Sequence, residues 1–307
     1  KLFGGRQGAR STHFLLMLVY ISFLVIHVTL VSITGFAKNM VHIVLGKLEG
    51  NESLAVGLAS GGIILVIAIH IAATIWTQQQ PRQVQNSIGA FVQKLMKFFF
   101  YHMKSHQHYT KADISPHFWV NGYPPKTQEW LDLLNDNFAS YRLEIKGLVK
   151  HPHILSLDDL KKIPSTTQIT KHNCIQGWTG VAEWTGVSMG EIIRLVQPAK
   201  NALYVVFRSY QMNKSLVPGT EEEVEYYGCL DLKEALYPQT ILAYEMNGAP
   251  LSREYGAPLR LRMETNLGYR MVKWIKSIEF VDDYKKIGLG YGGFREDQAY
   301  DDHTSQI

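Results

Sequence analysis

Cysteine is almost absent from this 307-residue chain, which has only Cys174 and Cys229. That scarcity excludes a disulfide framework and a cysteine-rich structural zinc site. Charge is missing from two long stretches: residues 11–37 and 53–81 contain no Asp, Glu, Lys or Arg. Acidic residues are scarce in the first third. Residues 1–105 hold 9 Lys+Arg and 2 Asp+Glu, a net of +7, whereas residues 106–307 hold 22 and 25, a net of -3. The overall net charge of +4 and mean hydropathy of -0.08 therefore average two dissimilar parts. The composition excludes a disordered chain and a collagen. Such charge asymmetry points to a membrane or nucleic-acid segment joined to something else. Residue 1 is Lys and no signal-type segment precedes the first apolar run, so the chain is expected to begin inside a longer protein.

The first uncharged stretch is almost continuously apolar from Phe14 to Thr34, and the second from Leu54 to Trp76. A helix over 11–37 is roughly 40 Å long, against a hydrocarbon core of about 30 Å. The reading is two membrane-spanning helices, about 11–37 and 53–77, rather than two core helices of a soluble fold. Lys1, Arg6 and Arg10 flank one end, and Arg82, Lys94, Lys97 and Lys104 the other. Two spans put both flanks on one side, and their excess of Lys and Arg assigns that side to the cytoplasm.

His13 and His27 stand 14 residues apart on the first span. At 100° per residue they fall within about 40° of the same helix face, roughly 21 Å apart along the axis. Intramembrane histidines are functional candidates by default, and this spacing suits axial ligands of two stacked haems. His70, late in the second span, is a third candidate, while His42 reads as a loop residue. Gly57 and Gly61 form a small-xxx-small pair, read as a helix-packing face. GGRQGARSTHFLLMLVYISFLVIHVTLVSITGFAKNMVHIVLG at 4–46 resembles the later helices of a prokaryotic b-type cytochrome subunit of dehydrogenases and hydrogenases. The resemblance implies haem b on His13 and His27, with His70 as a further ligand. It also implies a partner cytochrome subunit or absent upstream helices supplying the remaining ligands.

After a polar exit at 78–87, Ile88, Phe91, Val92, Leu95, Met96, Phe99, Phe100 and Met103 recur at three/four spacing. This predicts a basic amphipathic helix within a connector, 81–116, that lies on the membrane surface or packs on the next domain. His102, His106 and His108 follow and read as a solvated helix end rather than a metal site.

From 117 to 307 short strand-like runs alternate with turns and short helices. Strands are predicted around 141–149, 203–207, 241–245, 258–263 and 274–281, and helices at 157–163 after Ser156 and at 188–196. The pattern is mixed α+β without regular βαβ alternation, and GLGYGG at 288–293 reads as a loop rather than a nucleotide motif. Cys174 lies in KHNCIQGWTGVAEWTGV, on a Gly/Trp-rich loop. By residue type alone it is a nucleophile, a soft-metal ligand or a buried structural thiol. Cys229 has no polar company and reads as structural. Arg260, Arg262, Arg270, Lys273 and Lys276 are interleaved with apolar residues in 253–280, a pattern suited to an anion such as phosphate.

WVNGYPP at 119–125, HNCIQGWTG at 172–180, LAYEMNGAPL at 242–251 and YGAPLRLRMETNLGYRMVKWIKSIEF at 255–280 carry a second resemblance. They resemble the molybdopterin-binding domain of the sulfite-oxidase family, particularly its bacterial sulfoxide-reductase-like branch. The resemblance implies that Cys174 binds molybdenum and is the catalytic residue. It implies that Asn121 contacts the pterin, that Arg260 and Lys273 hold the cofactor phosphate and pyranopterin, and that Ser209 touches the cofactor. Two positions depart from the family pattern: Tyr255 stands where His or Asn often precedes GAP, and Gln176 where the reductase-like branch often has Glu. The C-terminal immunoglobulin-like dimerisation domain of animal sulfite oxidases is not expected in this chain.

The expected architecture is two transmembrane α-helices followed by a mixed α+β sulfite-oxidase-type molybdopterin-binding domain. The expected function is a molybdenum oxidoreductase of a prokaryotic inner membrane, with its soluble domain on the cytoplasmic side. It would couple oxygen-atom transfer on a small S- or N-oxide or sulfite-like substrate to haem b and membrane quinone. The alternatives are a cofactor-free membrane-tethered binding module and a haem-only electron-transfer subunit. Nucleic acid is not an expected partner, because the positive charge belongs to the lipid-facing part.

Overall fold

The computed structural model of the chain describes residues 5–84, 87–88, 92, 95, 108–215 and 221–298. They fall into two compact units, 1–84 and 85–307.

In the first unit, α1 (Gly5–Ile33) is followed by the short α2 (Phe36–Met40), a π-helical turn (Val41–Leu45) and α3 (Glu52–Gln79). Both long helices are long and apolar enough to cross a bilayer. Several hydroxyls of the first helix are satisfied locally. Thr12, Ser22, Thr29 and Ser32 each donate to the carbonyl four residues back, at 2.8–2.9 Å. In lipid no water could replace these bonds. The first helix ends earlier than the sequence pattern predicts, because Gly35 adopts φ 112° and turns the chain. Asn51 then caps α3, its side-chain oxygen accepting from Leu54 N at 3.0 Å. Met40, Val41 and Ala55 form a small core at this turn. Away from it the apolar side chains of α1 and α3 are exposed along their lengths, and Gly57 and Gly61 face open space. His42 donates from its ring to Leu48 O at 3.1 Å within the loop.

Of the predicted amphipathic connector, Ile88, Val92 and Leu95 are helical and exposed. Its other apolar positions, with His102 and His106, lie outside the described residues.

The second unit carries two five-stranded sheets. One has the order β2 (His153–Leu155), β1 (Leu143–Gly147), β10 (Ile275–Val281), β5 (Tyr204–Lys214), β6 (Glu223–Asp231). The other has the order β3 (Ser165–Asn173), β4 (Thr179–Ser188), β7 (Ile241–Met246), β8 (Ala249–Pro250), with β9 (Arg260–Arg262) on β7. Among the named strands of the described residues, only the β1–β10 pair is parallel. Helices α4 (Gln128–Asn135), α5 (Leu157–Lys162), α6 (Met189–Val196), α7 (Leu232–Ala235) and α8 (Phe294–Gln298) complete the unit. Ser156 and Ser188 cap α5 and α6 through Asp159 N and Glu191 N. The main core joins Trp130, Tyr141, Phe207, Trp274 and Phe280, all fully or almost fully buried.

Candidate active site

The β3–β4 hairpin builds the first wall of the site. Its strands pair from Ser165↔Val187 to Asn173↔Thr179, which leaves residues 174–178 as the tip. Cys174 N donates to Trp178 O and Gly177 N donates to Cys174 O, both at 2.9 Å, so the tip is closed by its own backbone. Gly177 accommodates the turn at φ 93°. Cys174 is buried at this tip. Asn121, 53 residues upstream, donates from Nδ2 to Cys174 Sγ at 3.1 Å.

Beside the thiol lies a cavity of about 330 Å³ whose lining includes Asn121, His172, Gln176, Tyr255, Arg260 and Lys273. Lys273 stands just before β10 and donates from Nζ to Asn121 O at 2.6 Å and Glu254 O at 2.9 Å. Arg260 opens β9 and donates to Tyr255 O at 2.8 Å. Arg262, two residues on, shares its strand face and is fully buried behind the cavity. Its Nη1 donates to His172 Nδ1 at 2.8 Å, and Trp184 lies under both arginines, 4.8 Å from Arg260 and 4.5 Å from Arg262. His172 stacks on Trp178 at 5.3 Å. Gly268 lies so close to this ring that a Cβ there would come within 2.3 Å of His172 Nε2.

The electrostatics are one-sided. Among the described residues, no carboxylate forms an ion pair with Arg260, Arg262 or Lys273. Burial, followed by the charge of Arg260, pushes the Lys273 ammonium down to about 7. Burial also lowers both arginines, with Arg260 adding its repulsion at Arg262. The buried Nε atoms of Arg260 and Arg262 have no hydrogen-bond partner among the described residues. Burial and the three cations hold His172 neutral, which lets Nδ1 accept from Arg262. Glu264 partly offsets Arg262 and Glu254 partly offsets Lys273, yet neither forms an ion pair with them, and gathered buried cations stay costly unless an anion joins them. A phosphate-bearing cofactor supplies that anion, and a thiol at the margin supplies a soft-metal ligand. The residues present therefore fit a molybdopterin group.

The five cations of 260–276 thus separate into two sets. Arg270 is also buried, but Glu234 at 3.6 Å and Glu296 at 3.8 Å neutralise it, and Cys229 O accepts from it at 2.8 Å. Lys276 pairs with Glu129 at 2.6 Å on the surface. Ser209 lies behind the site: its Oγ donates to Lys273 O at 2.7 Å and accepts from Gln211 N at 3.0 Å. It holds the backbone that presents Lys273. Tyr255 donates to Phe118 O at 2.7 Å, joining an aromatic wall with Trp178 and Trp184 around Phe118. The Gln176 oxygen accepts from Trp178 Nε1 at 3.4 Å.

His172 and Trp184 are neighbours of the cations that the sequence reading did not single out, and Arg262, one of its anion-suited cations, is the residue that joins them. The i, i+2 spacing of Arg260 and Arg262 on a strand was the available signal. In the N-terminal unit α1 runs unbroken through His13 and His27, so their 14-residue spacing is helical throughout, and Phe23 stacks on His27 at 5.3 Å. His70 lies in α3. Among the described residues no three His, Cys, Asp or Glu side chains gather as a metal site.

Part of the chain is similar to known proteins. Residues 131–287 match the model of the oxidoreductase molybdopterin binding domain. The putative protein-methionine-sulfoxide reductase subunit YedZ1 of Azospira oryzae is 36% identical over 162 residues, covering 53% of this chain and 55% of the relative. The protein-methionine-sulfoxide reductase catalytic subunit MsrP of Xanthomonas axonopodis is 35% identical over 148 residues, 47% of this chain and 46% of the relative. The chain therefore spans about half the length of these curated relatives. A solved structure, the sulfane dehydrogenase SoxCD of Paracoccus pantotrophus, aligns at 20% identity with a TM-score of 0.40, over 50% of this chain and 42% of that one. With its family segment holding Cys174, Arg260 and Lys273, the chain belongs to the oxidoreductase molybdopterin-binding domain family.

Proposed function

We propose that the protein is a membrane-anchored, molybdopterin-dependent reductase of methionine sulfoxide that receives its electrons through haem b in the N-terminal unit. The observation that carries the catalytic half is the meeting of Cys174 and Asn121 beside a cavity lined by Arg260 and Lys273, neither of which has an ion-pair partner among the described residues. The names of the relatives support the substrate.

In this reading Cys174 Sγ holds molybdenum, and Asn121 fixes the sulfur through its amide. Arg260 and Lys273 hold the phosphate and pyranopterin, and Arg262 orients His172 behind them. When bound, the molybdenum–pterin group supplies two-electron oxygen-atom exchange. Reduction of a sulfoxide consumes two electrons and two protons, breaks the S–O bond and releases a thioether and water. Gln176 faces the cavity with an amide suited to hydrogen-bonding the sulfoxide oxygen. Phe118 and Trp178 exclude water from the same space.

His13 and His27 on one face of α1, with His70 on α3, would ligate haem and pass electrons from membrane quinone. A partner cytochrome subunit or further helices would supply the remaining ligands. The basic flanks support a cytoplasmic position for the catalytic unit.

The test uses the purified full-length protein with a dye reductant and methionine sulfoxide. The reading requires molybdenum, sulfoxide turnover, and loss of both in Cys174→Ala. A molybdenum-loaded wild type that leaves methionine sulfoxide unreduced overturns the substrate. A visible spectrum without haem bands, or one unchanged in His27→Ala, overturns the haem half.

A further inference from the structure

A second cavity, of about 500 Å³, adjoins the first. The two share Gln211 and Asn213 in their linings, so one wall serves both. The other side of the second cavity is the segment Tyr123–Thr127, with Pro124 and Pro125 at its centre. Proline fixes φ, so this wall is stiff. Tyr123 is 81% exposed and Met212 38% exposed, and both line the second cavity but not the first. Trp119 and Ile175, at the first cavity, are also exposed. Exposed apolar side chains thus continue from the catalytic cavity into its neighbour, whose lining also includes Lys126, Lys214 and Glu223.

The shared wall carries an unused donor. Asn213 Oδ1 accepts from Gln211 Nε2 at 3.0 Å, while the buried Asn213 Nδ2 has no partner among the described residues. The local backbone explains why these residues reach the cavities. Between Arg208 and Met212 the β5–β6 register shifts, which bends β5 away from regular pairing just before Asn213. A rigid proline wall, an exposed tyrosine and methionine, and an unpaired amide suit an extended polypeptide with one apolar side chain.

We propose that the second cavity is a subsite for the polypeptide flanking the oxidised methionine. Asn213 donates to a substrate main-chain carbonyl, and Tyr123, Pro124, Pro125 and Met212 hold a neighbouring apolar side chain. The proposal rests on the sulfoxide-reductase reading and adds a specificity site to it.

Tyr123→Ala and Met212→Ser test it, since both residues are exposed and lie outside the catalytic cavity. Two substrates are compared with the full-length, cofactor-loaded protein: free methionine sulfoxide and a labelled peptide carrying one methionine sulfoxide next to a leucine. Truncating one contact residue at a binding site costs on the order of 1–2 kcal/mol, roughly a 5–30-fold loss. KM for the peptide and its Kd by fluorescence anisotropy are expected to rise by that factor. The kcat for the peptide and both constants for free methionine sulfoxide stay unchanged. Equal losses on both substrates, or no loss on the peptide, overturn the subsite. If the wild type reduces neither substrate, the functional reading fails, and the anisotropy comparison still decides whether the peptide binds here.

Discussion

Asn121 donates to the sulfur of Cys174 at 3.1 Å from a segment that precedes the whole β-structure, 53 residues away. The same residue accepts Lys273 Nζ on its backbone oxygen, so one asparagine ties the thiol to the cation wall. A hydrogen bond to a charged partner is worth roughly 1.5–3 kcal/mol. Asn121→Asp replaces the donor by a carboxylate that cannot donate when ionised. We expect molybdenum occupancy at limiting cofactor to fall by about tenfold or more, measured by metal analysis of folded protein. Asn121→Gln is expected to recover only part of it, because its longer arm moves the amide off the sulfur.

Lys273 makes the cofactor-free protein pH-dependent. Its folded-state value is pushed down to about 7, against 10.5 for an ordinary lysine. Between those limits the unfolded chain holds a proton that the folded chain has released, so stability rises with pH through this window. The gain from pH 7 to pH 9 should exceed about 1.4 kcal/mol, the worth of one proton over one pH unit. Urea unfolding across pH reads it. Lys273→Met removes the slope, and cofactor loading flattens it because a bound phosphate restores the charged form.

Gly268 is placed against His172, where a Cβ would sit 2.3 Å from Nε2. Gly268→Ala must therefore push the ring off Trp178 and strain the strand that ends at Asn173, next to Cys174. Crowding of a packed core costs typically about 1–3 kcal/mol. The expected outcome is a folded protein with a lower unfolding midpoint and reduced molybdenum uptake. Normal uptake at normal stability would contradict the contact.

Arg270 tests the separation of the cations. Burial works against its charge, but Glu234 and Glu296 outweigh burial and raise its pKa. Arg270→Met removes the cation from beside two buried carboxylates, at a cost of about 3–5 kcal/mol. Stability should fall by that amount, while the folded fraction keeps its cofactor. A selective loss of cofactor without destabilisation would place Arg270 in the binding wall instead.

The legible part of the site was the part carried by local motifs. Cys174, Asn121, Arg260 and Lys273 each sit in a short distinctive string, and the structure brings all four together. The five cations near the end looked alike in sequence. What separates them is their carboxylate partners: Arg270 finds Glu234 and Glu296, and Lys276 finds Glu129, at distances along the chain that no local pattern encodes. The Arg262–His172 bond spans 90 residues and was invisible for the same reason. In the fold, strands with alternating apolar residues were foreseen, as in Ile275–Val281. The β3–β4 hairpin was not, because Ser165–Asn173 alternates Thr, Gln and Lys with few apolar side chains, and its sheet position follows from pairing with β4. The entry motif around Asn121 was legible as a string, but its contact with Cys174, 53 residues on, appears only in the tertiary structure.

The central claim is that Cys174 holds molybdenum in this chain. Elemental analysis of purified wild type and Cys174→Ser, expressed with molybdenum and matched for folding by circular dichroism, tests it most directly. The account predicts close to one molybdenum per wild-type chain and almost none in the variant. Equal molybdenum in both, or none in the wild type, would contradict it.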